Sequence, residues 1–415
     1  MSIQLVYKFF LFIFLSGLSI LNKFYLVPDI IYNSLALWLL AKIGPAFIKI
    51  SQVSQNNFLD ADFRRKKRYL NILDNLYVPK NINSCVLNKN KDIKIIKPLS
   101  IGSGSIAYVY QILYKTKPCI LKEYFCDSES IFSGIALFKL LINIGLIAHN
   151  SILFKIISYK SYHKYFLDQV NSQQEVKNME IFYRIFEDSE RINIPKCFYF
   201  DKNHIIMSQE KGLSLFNFVD LYKKNDDIME QTYLLLFFAI YKMCQERIIH
   251  GDFHAGNLLF YIHDEKVKMS IVDFGIILKI TSDQQKFFLN SFDNIEDYHK
   301  MDRKKQFANF FWYFGEHSQN YTQEDFIKRV TQNIQTANII LPPANMMYIP
   351  EGGVDILINQ ELLEMGFQIK IENYNMLITL EILMNKIVNL ANFNKNFNKK
   401  LRKFIADNII ATYEF

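Results

Sequence analysis

The chain has 415 residues, 50% hydrophobic and 21% charged, with a formal net charge of +7. That much apolar surface is enough for two or three packed domains and excludes a disordered chain, and one long uncharged apolar run is too little for a polytopic membrane protein. The charge is spread too thinly for a dedicated nucleic-acid binder. The odd set Cys85, Cys119, Cys126, Cys197 and Cys244, with no Cys-x-x-Cys pair, argues against a disulfide framework or a zinc site and for a reducing compartment.

In chain order, Phe9 to Leu21 is uncharged and mostly apolar, behind Lys8. The run is shorter than the roughly 20 residues a spanning helix needs. Leu18-Ser19-Ile20-Leu21 offers no small-x-small site, so no cleaved signal is expected. Phe24 to Leu40 follows, interrupted by Pro28, Asp29 and Asn33. Two readings stand for this stretch: helices packed on the protein, or a membrane-associated N-terminus. Helical spacing continues through Ile43, Phe47, Ile50 and Val53. The basic cluster Arg64 to Arg68 reads as a solvated helix face, with contact to anionic lipid headgroups as a weaker second reading. Residues 77–92 are an Asn- and Lys-rich linker. Short strands are expected at Ile93–Ile96, Ala107–Leu113 and Cys119–Leu121, then helices over 131–154 and 168–186. Two strands flank Asp201-Lys202-Asn203. Beyond Gly212 the periodicity is helical, except for strands at Leu258–Tyr261 and Met269–Val272.

This order gives four expected parts: a hydrophobic helical segment (1–40), a helical extension with its linker (41–92), a small β-rich lobe with a helical insertion (93–212) and a large helical lobe (213–415). The expected fold class is α+β, the layout of a bilobal phosphotransferase.

The chemistry concentrates in His250-Gly251-Asp252-Phe253-His254-Ala255-Gly256-Asn257, followed 16 residues later by Asp273-Phe274-Gly275. Phosphoryl transfer from ATP needs metal ions on the phosphate oxygens and a carboxylate beside the attacking group. Asp252 and Asn257, five apart on a tight loop, can face one site from two sides, and Asp273 supplies a second metal ligand behind a strand. Upstream, Gly102-Ser103-Gly104-Ser105 is a small-residue turn that lets backbone N–H groups approach phosphate. Lys122 then sits at the end of an apolar strand, either exposed or aimed at phosphates. Glu175, on a helix with Val176, Met179 and Phe182 as its apolar stripe, is the candidate partner for that lysine, with a solvated helix face as the equal alternative. Glu210-Lys211-Gly212 suits the connector between lobes. His250 reads as a loop-positioning residue, and His254 as packed or hydrogen-bonded.

These residues resemble the UbiB family of atypical, protein-kinase-like proteins associated with ubiquinone biosynthesis. Lys49-Ile50-Ser51-Gln52 is similar to the family's Lys-x-Gly-Gln motif. Asp168 to Asn178 is similar to its Glu-x-Asp helix with a later Glu and Asn, and the catalytic loop is similar to His-Ala-Asp-x-His-Pro-Gly-Asn. Three departures stand out: Ser51 replaces the motif glycine, and Gln169 and Asn171 replace the Glu and Asp. The family's Ala-rich loop is Gly-Ser-Gly-Ser here.

The resemblance implies a bilobal kinase-like fold whose helical N-terminal extension packs on the active site. By position, it implies Lys122 on phosphates and paired with Glu175, Asp252 as catalytic Asp, and Asn257 and Asp273 on Mg²⁺. Gly102 to Ser105 and Glu210 would lie around ATP, and Lys49 and Gln52 would line the site. It further implies ATPase or kinase chemistry on a small-molecule or lipid substrate such as an isoprenoid quinone precursor. The expected setting is the cytoplasmic face of a membrane, touched through residues 9–40, among other ubiquinone-biosynthesis proteins. Two rivals remain: a small-molecule kinase of the aminoglycoside or choline type, whose loop shares His-Gly-Asp, and a nucleotide-binding scaffold without catalysis.

Overall fold

The computed structural model describes residues 3–24, 26–43, 80–82, 92–103, 106–124, 128–143, 159–293, 303–316, 321–336 and 395–410, with short stretches between 362 and 376. They form two compact units. One comprises the described residues up to Ser172 with Tyr199–Ile206. The other comprises Gln173–Phe198 with the described residues from Met207 on.

The first unit begins with a helical pair, α1 (Ile3–Lys23) and α2 (Asp29–Ile43). Asn22 donates to the Val27 carbonyl (2.9 Å) and closes the turn ahead of Pro28, where the missing N–H prevents one continuous helix. The first helix is longer than the apolar run Phe9–Leu21 suggested, because Ile3 to Lys8 continue it. Ile3–Asn22 is, among the described residues, the one helix long and apolar enough to cross a membrane by length and composition. It also packs against α2 and against α3 (Ser128–Asn143), with Lys8 buried and Ser133 donating to the Gln4 side chain (3.3 Å).

The sheet of this unit contains β1 (Ile93–Ile95), β2 (Gly102–Ser103), β3 (Ala107–Tyr114) and β4 (Lys117–Tyr124), joined by β6 (Cys197–Phe200) and β7 (His204–Ser208). The order is β1-β3-β4-β7-β6, with β2 on β3. Lys115 and Thr116, both at positive φ (47° and 71°), form the two-residue turn that matches the strand twist between β3 and β4. Alternation puts Tyr110, Ile112, Cys119 and Leu121 on one face, packed with Ile82, Ile93 and Ile206. Burial there pushes the Cys119 thiol up from its ordinary pKa.

Sequence periodicity over 168–186 suggests one helix, but there are two. Helix α4 (Tyr159–Gln169) ends, Asn171 donates its N–H to the Asp168 carbonyl (3.2 Å), and α5 (Ser172–Ile185) begins. Ser172 Oγ donates to the Asp201 carbonyl (2.6 Å), so the hydroxyl is drawn to the β6–β7 turn. Of the helix expected over 131–154, the structure describes residues to 143; the rest lies outside the described residues.

The second unit is built on α7 (Asp226–Gln245), which follows α6 (Leu215–Tyr222). Asn225 caps α7, its side chain accepting from Ile228 N–H (3.1 Å). Twelve α7 residues are buried, from Met229 to Cys244, so the helix is the core of the unit rather than a cover for it. A sheet in the order β5-β11-β10-β8 lies on it, with β5 Ile192–Asn193, β8 Leu213–Ser214, β10 Leu258–His263 and β11 Lys266–Ile271. A ribbon of β9 (Ile248–His250) and β12 (Ile277–Lys279) completes the frame of the loops between them. Helices α8 (Ser282–Asp293), α9 (Arg303–Phe314) and α10 (Gln323–Thr336) follow, and α11 (Lys395–Ile410) packs back on α7.

Candidate active site

Two loops of the second unit are laced together by backbone hydrogen bonds. Residues 251–257 leave β9 and 272–276 leave β11. Gly251 donates to the Ile276 carbonyl (2.9 Å), and Val272 donates to the Asn257 carbonyl (3.0 Å). Because β9 pairs with β12 and β10 with β11, each loop is pinned at both ends by strands that pair across from the other loop. Asp252, Asn257 and Asp273, the three metal- and base-type residues singled out by the sequence, are brought to these two loops.

Each is set by specific contacts. Asp252 N–H donates to His250 Nδ1 (3.2 Å). His250 is fully buried, with its ring 5.3 Å from Phe274 and 5.7 Å from Phe182. Burial holds this imidazole well below its ordinary pKa, against the pull of the Asp252 and Asp273 carboxylates, so it is neutral and Nδ1 can accept. The loop-positioning reading of His250 thus has a concrete contact behind it. Asn257 Nδ2 donates to the Asp252 carbonyl (3.0 Å), which commits its nitrogen and leaves Oδ1 as the oxygen a hard cation would take. Asp273 sits at φ +65°, the left-handed region, with its Oδ1 3.5 Å from Gly275 N. Few residue types tolerate that conformation, and Asp is one of them.

Of the two states expected for His254, packed or hydrogen-bonded, it takes the hydrogen-bonded one. Its side chain is 46% exposed, accepts from Gly256 N–H through Nδ1 (3.0 Å) as the cap of the short turn Ala255–Asn257, and brings Nε2 to 3.6 Å from Asp252 Oδ2.

Glu175 is 1% exposed, which overturns the solvated-face alternative, and it stands on α5 within the second unit. Lys122 is 7% exposed in the middle of the β3–β4 pairing, opposite Val109, with its ammonium 5.4 Å from the Tyr124 ring centroid; it belongs to the first unit. The exposed-strand-end alternative for Lys122 therefore fails. Gly102 and Ser103 form β2, paired with Val109 and Tyr108. A Cβ at Gly102 would meet only Val109 Cβ at 3.9 Å, so the strand itself does not demand glycine there. Gly104, Ser105, Lys49, Ser51 and Gln52 lie outside the described residues, as does the Arg64–Arg68 cluster.

The Glu210 carboxylate is spoken for: Oε1 accepts from Ser208 Oγ (2.8 Å) and Oε2 from Ser270 Oγ (3.3 Å). Gly212 beside it has φ +127° and a Cβ there would lie 2.9 Å from Phe260 N and O, so only glycine fits.

Two contributions escaped the sequence. Asn178 donates through Nδ2 to the Phe274 carbonyl (2.8 Å) and accepts from Gln174 Nε2 (2.8 Å). Phe182, one turn on, packs against the Phe274 ring with centroids 5.1 Å apart and the planes tilted at 52°. The helical spacing of Glu175, Asn178 and Phe182 is visible in the sequence, but nothing there says that an Asn on a buried face ends at the Asp273-Phe274-Gly275 backbone.

The sheet, the helical unit and these paired loops define a kinase-like protein. A family model described as the ABC1 atypical kinase-like domain matches residues 96–306, half of the chain, and the chain belongs to that family, the UbiB/ABC1 group. The probable protein kinase UbiB of Photobacterium profundum is 25% identical over 133 residues, covering 31% of this chain and 24% of that protein; the chain thus matches about a quarter of the relative's length. The solved complex of Rv3197 with erythromycin from Mycobacterium tuberculosis aligns at 12% identity and a TM-score of 0.39, over 82% of this chain and 92% of that one.

Proposed function

We propose that this protein binds Mg²⁺-ATP and acts as an atypical kinase or ATPase on a small-molecule or lipid substrate, in support of isoprenoid quinone (ubiquinone) biosynthesis. The observation that carries the nucleotide part is the donor set on the two laced loops: an amide Oδ1 at Asn257 and a carboxylate at Asp273, both hard oxygen ligands of the kind Mg²⁺ takes with phosphates. The metal would neutralise phosphate charge, and the chain's own part is to hold these oxygens and aim Asp252. Asp252 then serves as the carboxylate for the acceptor's proton, its direction set by the His250 contact at its N–H and the Asn257 contact at its carbonyl. Lys122 and Glu175 act as phosphate ligand and its orienting partner, as in the family pattern. The family resemblance would add Gly102 to Ser105 and Glu210 as nucleotide-binding residues, and Lys49 and Gln52 as residues of the site. The quinone assignment rests on the family resemblance.

Membrane attachment through residues 9–40 belongs to the same reading. It is supported by exposed Phe10, Phe14 and Leu21 on α1 and Ile31, Leu35 and Trp38 on α2. The full chain should co-sediment with liposomes, and a chain starting at Lys42 should not; sedimentation of neither would return α1 and α2 to helices packed on the protein alone.

The deciding experiment is a thermal shift with ATP, with and without Mg²⁺, on the wild type and Asp273→Asn. A shift that needs the metal and is mostly lost in Asp273→Asn supports the reading. No shift with nucleotide and metal together would refute it, and a shift retained in full by Asp273→Asn would refute the metal assignment. ATP turnover measured with and without isoprenoid quinone precursors then separates a catalyst from a scaffold.

A further inference from the structure

The left-handed conformation of Asp273 is met inside its own loop by Gly275 N, 3.5 Å from Oδ1, and the loop is also held from outside. A left-handed non-glycine residue is costly and persists where its surroundings over-determine it. The loop's ends are held by the Val272–Asn257 and Gly251–Ile276 backbone bonds, but these leave three residues between them. The middle of that span is reached from outside the two loops by Asn178 on α5, whose Nδ2 donates to the Phe274 carbonyl at 2.8 Å in a fully buried contact. The amide cannot be reversed without losing the bond to Phe274, because that carbonyl can only accept; in this orientation Oδ1 accepts from Gln174 Nε2. Phe182, four residues further along α5, holds the Phe274 ring at 5.1 Å. The residue after Asp273 is thus held at its backbone and at its side chain by the same helix face.

We infer that Asn178 is a positioning residue for the Asp273 carboxylate. By fixing the Phe274–Gly275 peptide, one residue beyond Asp273, it limits how the loop can turn at Asp273 and so keeps that residue in the left-handed conformation and its carboxylate on the metal side. Gln174 is its support. The affinity for Mg²⁺ in the nucleotide complex then depends on a side chain that touches neither metal nor nucleotide. This rests on the metal role proposed for Asp273, and the test separates the two.

Asn178→Leu keeps the size of the side chain and leaves the Phe274 carbonyl unpaired; Gln174→Leu, at a half-buried position, is the milder variant should the first fail to fold. With a fluorescent ATP analogue, the Mg²⁺ concentration at half-saturation should rise about 10-fold in Asn178→Leu, the size expected for an unpaired buried acceptor. Gln174→Leu should move it in the same direction by less. Metal-free nucleotide affinity should stay within about twofold, since the contact faces only the loop. In the Asp273→Asn background, Asn178→Leu should add nothing. A wild-type Mg²⁺ midpoint in Asn178→Leu (or in Gln174→Leu, if only that variant folds), or a loss that adds fully to that of Asp273→Asn, would overturn the assignment. Amide hydrogen exchange without nucleotide gives an independent readout. Residues 272–276 should exchange about 10-fold faster in Asn178→Leu while the buried amides of α7 keep their protection. If the wild type binds no nucleotide, the proposed function fails while exchange still decides the role of Asn178: unchanged exchange over 272–276 overturns it.

Discussion

Gly251 stands where the loop it resembles carries Ala, and the structure makes Gly251→Ala a sharp test of how tightly the two loops of the candidate site are laced. A Cβ on Gly251 would lie 2.5 Å from Ile276 Cγ2, 3.2 Å from Ile276 Cβ and 3.3 Å from the Ile276 carbonyl oxygen. The first contact must open to at least 3.4 Å, a movement of about 0.9 Å. Ile276 is buried and β-branched, so its Cγ2 cannot swing away freely. Gly251 has no positive φ, so Ala would be conformationally acceptable and would gain about 0.4–1 kcal/mol from the unfolded state. Overpacking a buried contact costs about 1–3 kcal/mol. The clash wins, and Gly251→Ala should be less stable by about 1–2 kcal/mol. The same movement displaces the Gly251–Ile276 bond next to Asp252, and a misplacement near 1 Å can cost up to about 10²-fold in rate. The matched repair is Ile276→Leu, which moves the branch off Cβ at a cost of less than about 1.5 kcal/mol by itself. The double variant should be more stable than the sum of the singles by about 1 kcal/mol or more. Urea denaturation of the four proteins measures the cycle and ATP turnover follows the loop. A Gly251→Ala protein as stable as wild type, or a double variant with simple additivity, would refute this account of the loop contact.

Three further outcomes follow from other parts of the molecule. Asp252→Asn should lower ATP turnover by about 10²–10⁴ while nucleotide affinity stays near wild type; equal turnover in the two proteins would place the activity elsewhere. Arg191 donates to the Val267 carbonyl (3.0 Å) and to Gln231 Oε1 (2.8 Å), and lies 5.2 Å from the Phe404 ring centroid of α11, partly desolvated so that its pKa is lowered. Arg191→Met should cost about 2–4 kcal/mol by chemical denaturation and expose α11 to protease, because it removes two hydrogen bonds and the cation–π contact together. In the β6–β7 turn, burial alone would raise the Asp201 carboxyl. Hydrogen bonds from Asn203 N–H and from the His204 ring and backbone outweigh it and hold the pKa below the ordinary 3.8. The folded pKa is the lower one, so the stabilisation is present above pH 3.8 and is lost as pH falls through the folded value. Asp201→Asn should therefore flatten the acid limb of stability against pH, and an unchanged limb would count against the hydrogen-bonded turn.

Much of the site was legible in the sequence because it is local. Asp252 and Asn257 share one loop, Asp273 follows one strand, and hairpin strands pair with their nearest neighbours, so spacing along the chain carries the geometry. The strands around Asp201-Lys202-Asn203 and the helical N-terminus were legible for the same reason, through period-2 and period-3.6 patterns. The single helix expected over 168–186 was not: the chain breaks at Asn171, ahead of a Ser172-x-x-Glu175 start pattern that apolar periodicity alone passes over, and Ser172 also reaches the Asp201 carbonyl, 29 positions away. Burial of Glu175 and Lys122 was undecidable for a related reason: a charged side chain on an amphipathic element is compatible with either face until the packing partner is known. What the sequence by itself determined is the set of chemical groups and their order on tight loops, since backbone spacing and glycine placement act over a few residues. What only the tertiary structure decided is how those groups are held. The α5 amide at Asn178 meets the Phe274 carbonyl across 96 positions, and a hydrogen bond between groups that far apart exists only once the chain has folded to bring them to 2.8 Å.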